Sequence, residues 1–538
     1  MMQTLKFIGG FDKELTAGSI PSSVTSLTFS HCFNQILFSR LIPPSVESLK
    51  FGHKFNQKLE KGSLPSSVTS LTFGNDFNQQ ELSIPFGVKT LIFGNRFNQP
   101  LSPEMIPSSV TSITFGNFFN QILTPGSSIP FGVKSLTFGD YFNRPLSPGM
   151  IPKSIEFLKF GNYFDQYLPP GSSIPFGVES LTFGVRFNKP ITPGSIPSSV
   201  TSLTFGCNFN QNLSAGTIPS SVTSLTFGDR FNQPITPGSI PSSVKSLTFG
   251  WDFNQILSEG TIPSSVESLK FGIHFNQLLS PSFSIPPSVK SLTLSEYFCQ
   301  ELSPGSIPSS VKSLTFGLLF NQVLTKDIIP FGVEKITFGN DYNQALSKDS
   351  IPSSVQSITF GNSFNKPLYQ DSIPFSVKSL TFGDLYNQHL HIGSIPLGVE
   401  SLKFGYNFNK ELTTGLIPSS VKSLTFGASF DQVINEGAIP STVKSLIFST
   451  FFNQKLHKNS IPPNVQSLTF GANFNQELSQ DSIPPSVQTL KFDFWFNQPL
   501  SQDSIPPSVR SLSLGHGFKQ HLPKDSISNV QSLSIQLF

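Results

Sequence analysis

The most regularly placed ionisable residues of this 538-residue chain stand beside a repeated valine. In five successive repeats the residue after that valine is Lys245, Glu267, Lys290, Lys312 or Glu334. Such residues cannot perform a reaction without a nucleophile and a base beside them. On an extended repeat surface they can contact a partner protein through many shallow contacts. The pattern therefore predicts a charged strip for protein binding, with these residues and Lys270 as partner contacts.

A second lysine position lies three residues further on, where most repeats have threonine. The residue three positions before these lysines is always Glu or Gln; the pairs are Gln3/Lys6, Glu47/Lys50, Glu156/Lys159, Glu267/Lys270, Glu400/Lys403 and Gln488/Lys491. Like charges stacked on one sheet face are unfavourable, and a carboxylate relieves the repulsion. Copying of a VESLKF repeat subtype would produce the same pattern, so both explanations stay open.

Catalytic, cofactor and metal sites are not predicted. Serine is abundant, but it recurs in the repeated IPSSV turn, and no G-x-S-x-G elbow with a histidine partner is present. Single glycines, one per repeat, do not build a phosphate-binding loop. His31, His53 and the neighbouring Cys32 have no further ligand at matching positions, whereas a zinc site needs three or four. We expect a protein that is not an enzyme.

The elements that position these residues follow a period of about 22 residues, seen most clearly from Ile218 to Ser239, IPSSVTSLTFGDRFNQPITPGS. Such a period indicates a solenoid. The spacing Val24-x-x-Leu27-x-Phe29 predicts a strand of about four residues with Leu and Phe inward. A glycine such as Gly52 then ends the strand, and we expect it to supply φ freedom.

The remainder of each repeat predicts a turn and an irregular return path. The Asn of Phe-Asn-Gln, such as Asn34 or Asn56, can form hydrogen bonds with the backbone in a turn. Stacked on the Asn of the next coil, it can form a ladder. Beyond it, the segment carries too much Pro, Gly and Ser for a helix, so the convex side should be irregular. The 56 Phe concentrate at two positions of the repeat, which predicts a regular internal stack.

The composition limits the classes of partner and the cellular compartment that we expect. The net charge is +3 with 12% charged residues, which gives no argument for nucleic acid or an anionic membrane. Three cysteines in distant repeats do not suit a disulfide framework, and the sequence has no signal peptide or 18-residue apolar run. We expect a cytoplasmic protein with one solenoid domain over residues 1–538 and no separate module. The alternating apolar segment 532–538 predicts end-to-end self-association, with fraying as the alternative.

The repeat also resembles a known family. Phe97-Asn98-Gln99-Pro100-Leu101 followed by Ile106-Pro107 resembles the FNIP repeat, which is expanded in social amoebae and giant viruses. FNIP repeats are similar to leucine-rich repeats, although Asn210 here follows Phe205 by five residues instead of three. The resemblance implies an all-β, right-handed, leucine-rich-repeat-like solenoid with about 24 repeats and one parallel sheet. Some members carry an F-box, for which this chain shows no matching segment, so a recognition scaffold is implied.

Two functions of different kinds remain. In the first, the concave sheet surface is a scaffold that binds an unidentified protein partner. In the second, rows of hydroxyls such as Ser202/Thr204 and Ser224/Thr226 bind a regular ligand, polysaccharide or ice. The second needs an uncharged and usually exported face. Interrupting lysines and the missing signal peptide favour the first.

Overall fold

The computed structural model describes residues 3–126, 128–171, 173–281, 284–501, 504–522 and 527–535. The chain divides into two compact units, Met1–Ile273 and His274–Phe538. Each unit is a stack of coils with one short strand per coil and an irregular return path. Across the described ranges, none of the chain forms a helix long and apolar enough to cross a membrane. The prediction of a single domain over residues 1–538 stays a prediction.

The strands of the first unit pair in parallel and in chain order, each with the strand of the next coil. They are β1 (Gln3–Lys6), β2 (Val24–Thr28), β3 (Ser48–Lys50), β4 (Ser70–Thr72), β5 (Thr90–Ile92), β6 (Ser112–Thr114), β7 (Ser135–Thr137), β8 (Phe157–Lys159), β9 (Ser180–Thr182), β10 (Ser202–Thr204), β11 (Ser224–Thr226), β12 (Ser246–Thr248) and β13 (Ser268–Lys270).

The second unit repeats this arrangement. Its strands are β14 (Ser291–Thr293), β15 (Ser313–Thr315), β16 (Lys335–Thr337), β17 (Ser357–Thr359), β18 (Ser379–Thr381), β19 (Ser401–Lys403), β20 (Ser423–Thr425), β21 (Ser445–Ile447), β22 (Ser467–Thr469), β23 (Thr489–Lys491), β24 (Ser511–Leu514) and β25 (Ser532–Ile535). Within each unit the prediction of an all-β solenoid on parallel strands is confirmed. Of the segment predicted to self-associate, residues 536–538 lie outside the described residues, and the association stays a prediction.

The strands are short because only three residues alternate cleanly between core and solvent. In β11, Leu225 is buried while Ser224 and Thr226 are half-buried on the opposite face. Backbone hydrogen bonds between coils continue beyond the strand on both sides. The Phe227 amide donates to the Thr248 carbonyl at 2.9 Å, and the Lys245 amide donates to the Thr223 carbonyl at 2.8 Å. The inward orientation of Leu and Phe is confirmed.

Phenylalanine fills the core in two stacked columns. Phe227 and Phe231 of one coil lie with ring centroids 4.1 Å apart, and Phe227 is 5.7 Å from Phe249 in the next coil. Both rings of this coil are buried, as are those of the coils on either side. The rings are nearly parallel, with interplanar angles of 12° and 7°, so each column is a continuous stack. The predicted internal stack is confirmed.

The glycine after each strand has a different role from the expected one. A Cβ added at Gly228 would lie 1.8 Å from the carbonyl oxygen of Gly206 in the preceding coil. The φ freedom predicted for this position is wrong, because Gly52, Gly74 and Gly228 are not among the glycines with positive φ. At Gly228 the backbones of adjacent coils would have to move apart to admit a side chain, although Ser295 and Ser449 stand at the same position in other coils.

Positive φ occurs instead in the return path. Gly238 has φ 86°, and the same position carries Glu104 at 70° and Asp371 at 67° in other coils. The left-handed region favours glycine because it has no Cβ to clash with the following carbonyl. The return path is irregular, as predicted.

The predicted asparagine ladder is present. The Oδ1 atom of Asn34 accepts the backbone amide of Asn56 at 2.8 Å, and Gln57 Nε2 donates to the Asn34 carbonyl at 2.9 Å. The same bonds recur at Asn232, which accepts the amide of Asn254 at 2.9 Å. Each coil thereby satisfies backbone groups of the next, which fixes the stacking register.

Candidate functional site

The candidate site is the charged row, defined as the residue that follows the buried valine or isoleucine of each coil. In the first unit it runs through Thr25, Glu47, Thr69, Lys89, Thr111, Lys134, Glu156, Glu179, Thr201, Thr223, Lys245 and Glu267. In the second unit it runs through Lys290, Lys312, Glu334, Gln356, Lys378, Glu400, Lys422, Lys444, Gln466, Gln488, Arg510 and Gln531.

Backbone hydrogen bonds between adjacent coils position the row. The Glu334 amide donates to the Lys312 carbonyl at 2.8 Å, and the Lys378 amide donates to the Gln356 carbonyl at 2.7 Å. The preceding valine is buried at Val311 and Val377, so the next side chain faces solvent. The row is therefore a line of exposed or half-buried side chains on a backbone held by hydrogen bonds between coils.

The six predicted partner contacts divide between the units. Lys245, Glu267 and Lys270 lie in the first unit, where both lysines are exposed and Glu267 is half-buried. Lys290, Lys312 and Glu334 lie in the second unit and are exposed. The structure brings Lys312 and Glu334 together, with Nζ 3.0 Å from Oε1. Lys270 belongs to strand β13 and not to the row.

Carboxylates in the row pair with lysines of adjacent coils. Glu156 lies 2.8 Å from Lys134, and Glu400 lies 2.6 Å from Lys422 and 3.7 Å from Lys378. We expected the glutamate three residues before a strand lysine to relieve the repulsion between like charges stacked on the sheet face. At Glu156 and Glu400 the described ion pairs instead cross between coils, because equivalent positions stack on one another in the parallel ladder.

These ion pairs order the row more than they stabilise the fold. Hydrogen bonding to Lys422, followed by the charge of Lys422, lowers the pKa of the Glu400 carboxyl below its ordinary value. The same kind of contact with Glu156 raises the pKa of the Lys134 ammonium. Both pairs are solvent-exposed, and exposed pairs contribute little to folding free energy.

The two units carry different charge in the row. In the second unit the row holds six basic and two acidic residues, a net charge of +4. In the first unit it holds three lysines and four glutamates, a net charge of −1. The basic members of the second unit are Lys290, Lys312, Lys378, Lys422, Lys444 and Arg510.

An apolar rim borders the row in the second unit, formed by the residue after Ile-Pro in three coils. Its members are Phe331, Phe375 and Leu397, which are 73%, 68% and 64% exposed. We did not predict this rim as a contact surface, although its signal, IPFGV, IPFSV or IPLGV in place of IPSSV, is in the sequence. Exposed apolar groups of this size beside charged residues are typical of interaction surfaces.

Three depressions follow the row and the rim. One is lined by Lys312, Phe331, Glu334, Phe375 and Lys378. A second, with a volume of about 440 Å³, is lined by Lys378, Leu397, Glu400, Lys422 and Lys444. The third is a groove of about 910 Å³ that joins Phe375, Ile392 and Leu397 to return-path prolines such as Pro418 and Pro440. Shared lining residues make them one continuous surface.

The hydroxyl rows of the alternative function are in register, but charged side chains stand beside them. Ser202, Ser224 and Ser246 stack in the ladder of β10 to β12. On the row position beside them, Thr201 and Thr223 are followed by Lys245 and preceded by Glu179. An uncharged array thus spans few coils, so the geometry favours the charged row.

The repeated serines are structural. Ser221 Oγ donates to the Val200 carbonyl at 2.6 Å, and Ser243 Oγ donates to the Val222 carbonyl at 2.7 Å. These hydroxyls connect coils and do not face a histidine. Over the described residues, no group of three or more His, Cys, Asp or Glu side chains could hold a metal ion.

Known proteins show the same repeat. The family described as FNIP Repeat matches residues 11–54, 33–76, 55–86, 77–118, 119–163, 164–208, 209–252, 253–295, 281–319, 320–363, 364–407, 408–451, 452–494 and 496–536. No curated protein sequence matches the chain.

Two solved structures were compared with the chain, and one of them shows the fold relationship. One, described as CroV588, a novel circular LRR protein structure, shares 34% identity at a TM-score of 0.82, covering 97% of this chain and 76% of the other. YopM from Yersinia enterocolitica WA-314 shares 15% identity at a TM-score of 0.33, covering 93% and 91%, a likeness too low to bear on the fold. Because FNIP repeats tile the chain, this protein belongs to the FNIP repeat family and folds as a leucine-rich-repeat-like solenoid.

Proposed function

We propose that this protein is a non-catalytic interaction scaffold that binds a partner protein through its exposed sheet face. The observation that carries the proposal is the charged row, in which solvent-facing side chains follow a backbone fixed by hydrogen bonds of 2.7–2.9 Å between coils. A surface already ordered before binding loses little conformational entropy when a partner docks. Repeat solenoids commonly use extended surfaces of this kind for protein binding.

The proposed contacts are Lys245, Glu267 and Lys270 in the first unit and Lys290, Lys312 and Glu334 in the second. We add Lys378, Lys422 and Lys444 because they line a depression on the same row. Each contact is shallow, so affinity would come from several coils acting together. Charged residues on the face would set partner choice and association rate more than affinity.

The return path is a poorer docking surface. Its buried serines are occupied in holding the coils together: Ser239 Oγ donates to the Leu213 carbonyl at 2.9 Å. Its bends vary in length from coil to coil, as the spacing of Ile-Pro pairs shows. Variable bends suit a solvent-facing connection better than a repeated recognition surface.

A capture experiment tests the proposal. The tagged full chain, a row variant (Lys312→Glu, Lys378→Glu, Lys422→Glu) and a return-path variant (Lys326→Glu, Lys348→Glu, Lys458→Glu) are incubated with lysate of the source organism. Both variants change the charge equally. We expect the wild type and the return-path variant to retain the same protein and the row variant to lose it. Retention of the protein by the row variant would overturn the proposal.

A further inference from the structure

We propose that the face of the second unit from Lys312 to Lys444 binds an acidic peptide segment that carries apolar side chains. This inference rests on the proposed function and specifies the chemistry of the partner. The surface consists of the charged row over these coils together with the apolar rim of Phe331, Phe375 and Leu397.

Charge complementarity requires a negative partner. Four row lysines, at 312, 378, 422 and 444, face two row carboxylates, Glu334 and Glu400. Glu334 already contacts Lys312 at 3.0 Å, and Glu400 contacts Lys422 at 2.6 Å. Within the described part of the chain Lys444 has no ion pair, and the next two row residues, Gln466 and Gln488, are uncharged. The positive charge is therefore in excess and exposed.

The rim requires apolar groups on the same partner. Phe331, Phe375 and Leu397 expose most of their surface to solvent, as does Ile392 in the neighbouring groove. Burying such surface stabilises a complex by roughly 25 cal/mol per Å² before the costs of association. Phe375 and Lys378 belong to the same coil, so one partner segment would meet an apolar and a basic group together.

The spacing of coils sets the length of the segment. Neighbouring parallel strands lie about 4.8 Å apart, so the six steps from the coil of Lys312 to the coil of Lys444 span roughly 29 Å. An extended peptide advances about 3.3 Å per residue, and about nine residues would cover that distance. A single unstructured segment of a partner is long enough to reach the whole surface.

The first unit offers a matched comparison. Phe176 occupies the same repeat position as Phe375 and is 69% exposed. Its row residue is Glu179, whose amide donates to the carbonyl of another row glutamate, Glu156, at 2.8 Å. The rim is thus equally apolar at Phe176, but the row beside it is acidic. An acidic peptide should avoid this site and prefer the one at Phe375.

The test uses three fluorescein-labelled twelve-residue peptides, of alternating Glu and Leu, Lys and Leu, or Glu and Ser. Binding to the full chain is followed by fluorescence anisotropy. We expect the Glu-Leu peptide to bind at least tenfold more tightly than either of the others, with affinity falling as salt rises. Equal binding of the Glu-Leu and Lys-Leu peptides, or no binding of the Glu-Leu peptide, would overturn the inference.

Variants locate the site. Lys378→Glu with Lys444→Glu, and separately Phe375→Ser with Leu397→Ser, should each weaken Glu-Leu binding at least tenfold, while Phe176→Ser leaves it unchanged. Unchanged melting temperatures show that the variants fold. Unaltered binding to the Phe375/Leu397 variant would overturn the inference. If the Glu-Leu peptide does not bind while capture from lysate still depends on the row, only the proposed partner chemistry is wrong. If capture from lysate does not depend on the row, the proposed function is wrong.

Discussion

At the scale of single residues, two core positions carry a polar group within the second column of phenylalanine rings. Tyr342 and Tyr386 stand where other coils have the second phenylalanine, and both are fully buried. Neither hydroxyl has a hydrogen-bond partner, and burial raises the pKa of both phenols. A buried hydroxyl without a partner loses its bonds to water on folding and destabilises the native state.

Replacing Tyr342 by Phe should therefore raise the free energy of unfolding by about 1 kcal/mol. The rings stay stacked, since Tyr342 already lies 4.2 Å from Phe338 in the geometry of a phenylalanine. Phe364→Tyr, in the same column, serves as the reverse control and should lower stability. Urea unfolding curves measure both changes, and a destabilised Tyr342→Phe variant would show that the hydroxyl has a favourable role.

Backbone strain is also a single-residue property. Glu104 has φ 70°, and Gly415 has φ 87° with open space around a Cβ. We expect Glu104→Gly to stabilise the protein and Gly415→Ala to destabilise it, each by about 1 kcal/mol, because only the backbone conformation differs. Thermal melting of the two variants checks this, and shifts in the same direction would contradict it.

At the scale of the coil, each coil is held in place by contacts to the adjacent coils. The alternation of Val222, Leu225 and Phe227 and the asparagine ladder could be predicted, because strand period and turn chemistry are local properties of the sequence. The glycine contact and the ion pair of Glu400 could not. Both depend on what stands 22 residues away after stacking, and local sequence does not give the distance between coils.

The glycine contact gives a prediction at this scale. Gly228→Ala places a methyl group against the Gly206 carbonyl and should cost about 3 kcal/mol or more, since backbone on both sides must shift. The loss should exceed that of Gly415→Ala, whose added methyl group meets no neighbour. Denaturant titration of the two alanine variants compares steric overlap with φ strain directly, and equal losses would mean that adjacent coils separate easily.

The apolar rim and the difference in row charge between the two units also arise at the scale of the coil. The sequence shows Phe375 as a variant of the repeat, and nothing in the sequence marks it as a contact residue. Only the structure places it beside Lys378 on one surface. A repeat variant becomes a candidate contact when its neighbours on the face are known.

At the scale of the whole molecule, each unit is a sum of coils that contact their neighbours. The ring of Phe227 stacks on Phe205 and Phe249 in the adjacent coils. Such arrays distribute stability as local and nearest-neighbour contributions. A defect in one coil should therefore spread over few others.

Phe227→Ala should lower stability by about 3–5 kcal/mol by loss of packing and creation of a cavity. Hydrogen exchange should show lost protection concentrated in strands β10 to β12, with strands such as β3 protected as in the wild type. Uniform loss of protection through the first unit would indicate that the unit unfolds as one cooperative body.

Site-specific photo-crosslinking tests most directly whether the sheet face is the binding surface. Benzoylphenylalanine replaces Lys312 on the charged row or Lys326 on the return path, and each full-length protein is irradiated in lysate of the source organism. We predict a covalent adduct with a partner protein from position 312 and none from position 326. An adduct from position 326 alone would place the partner on the return path and contradict the proposed function.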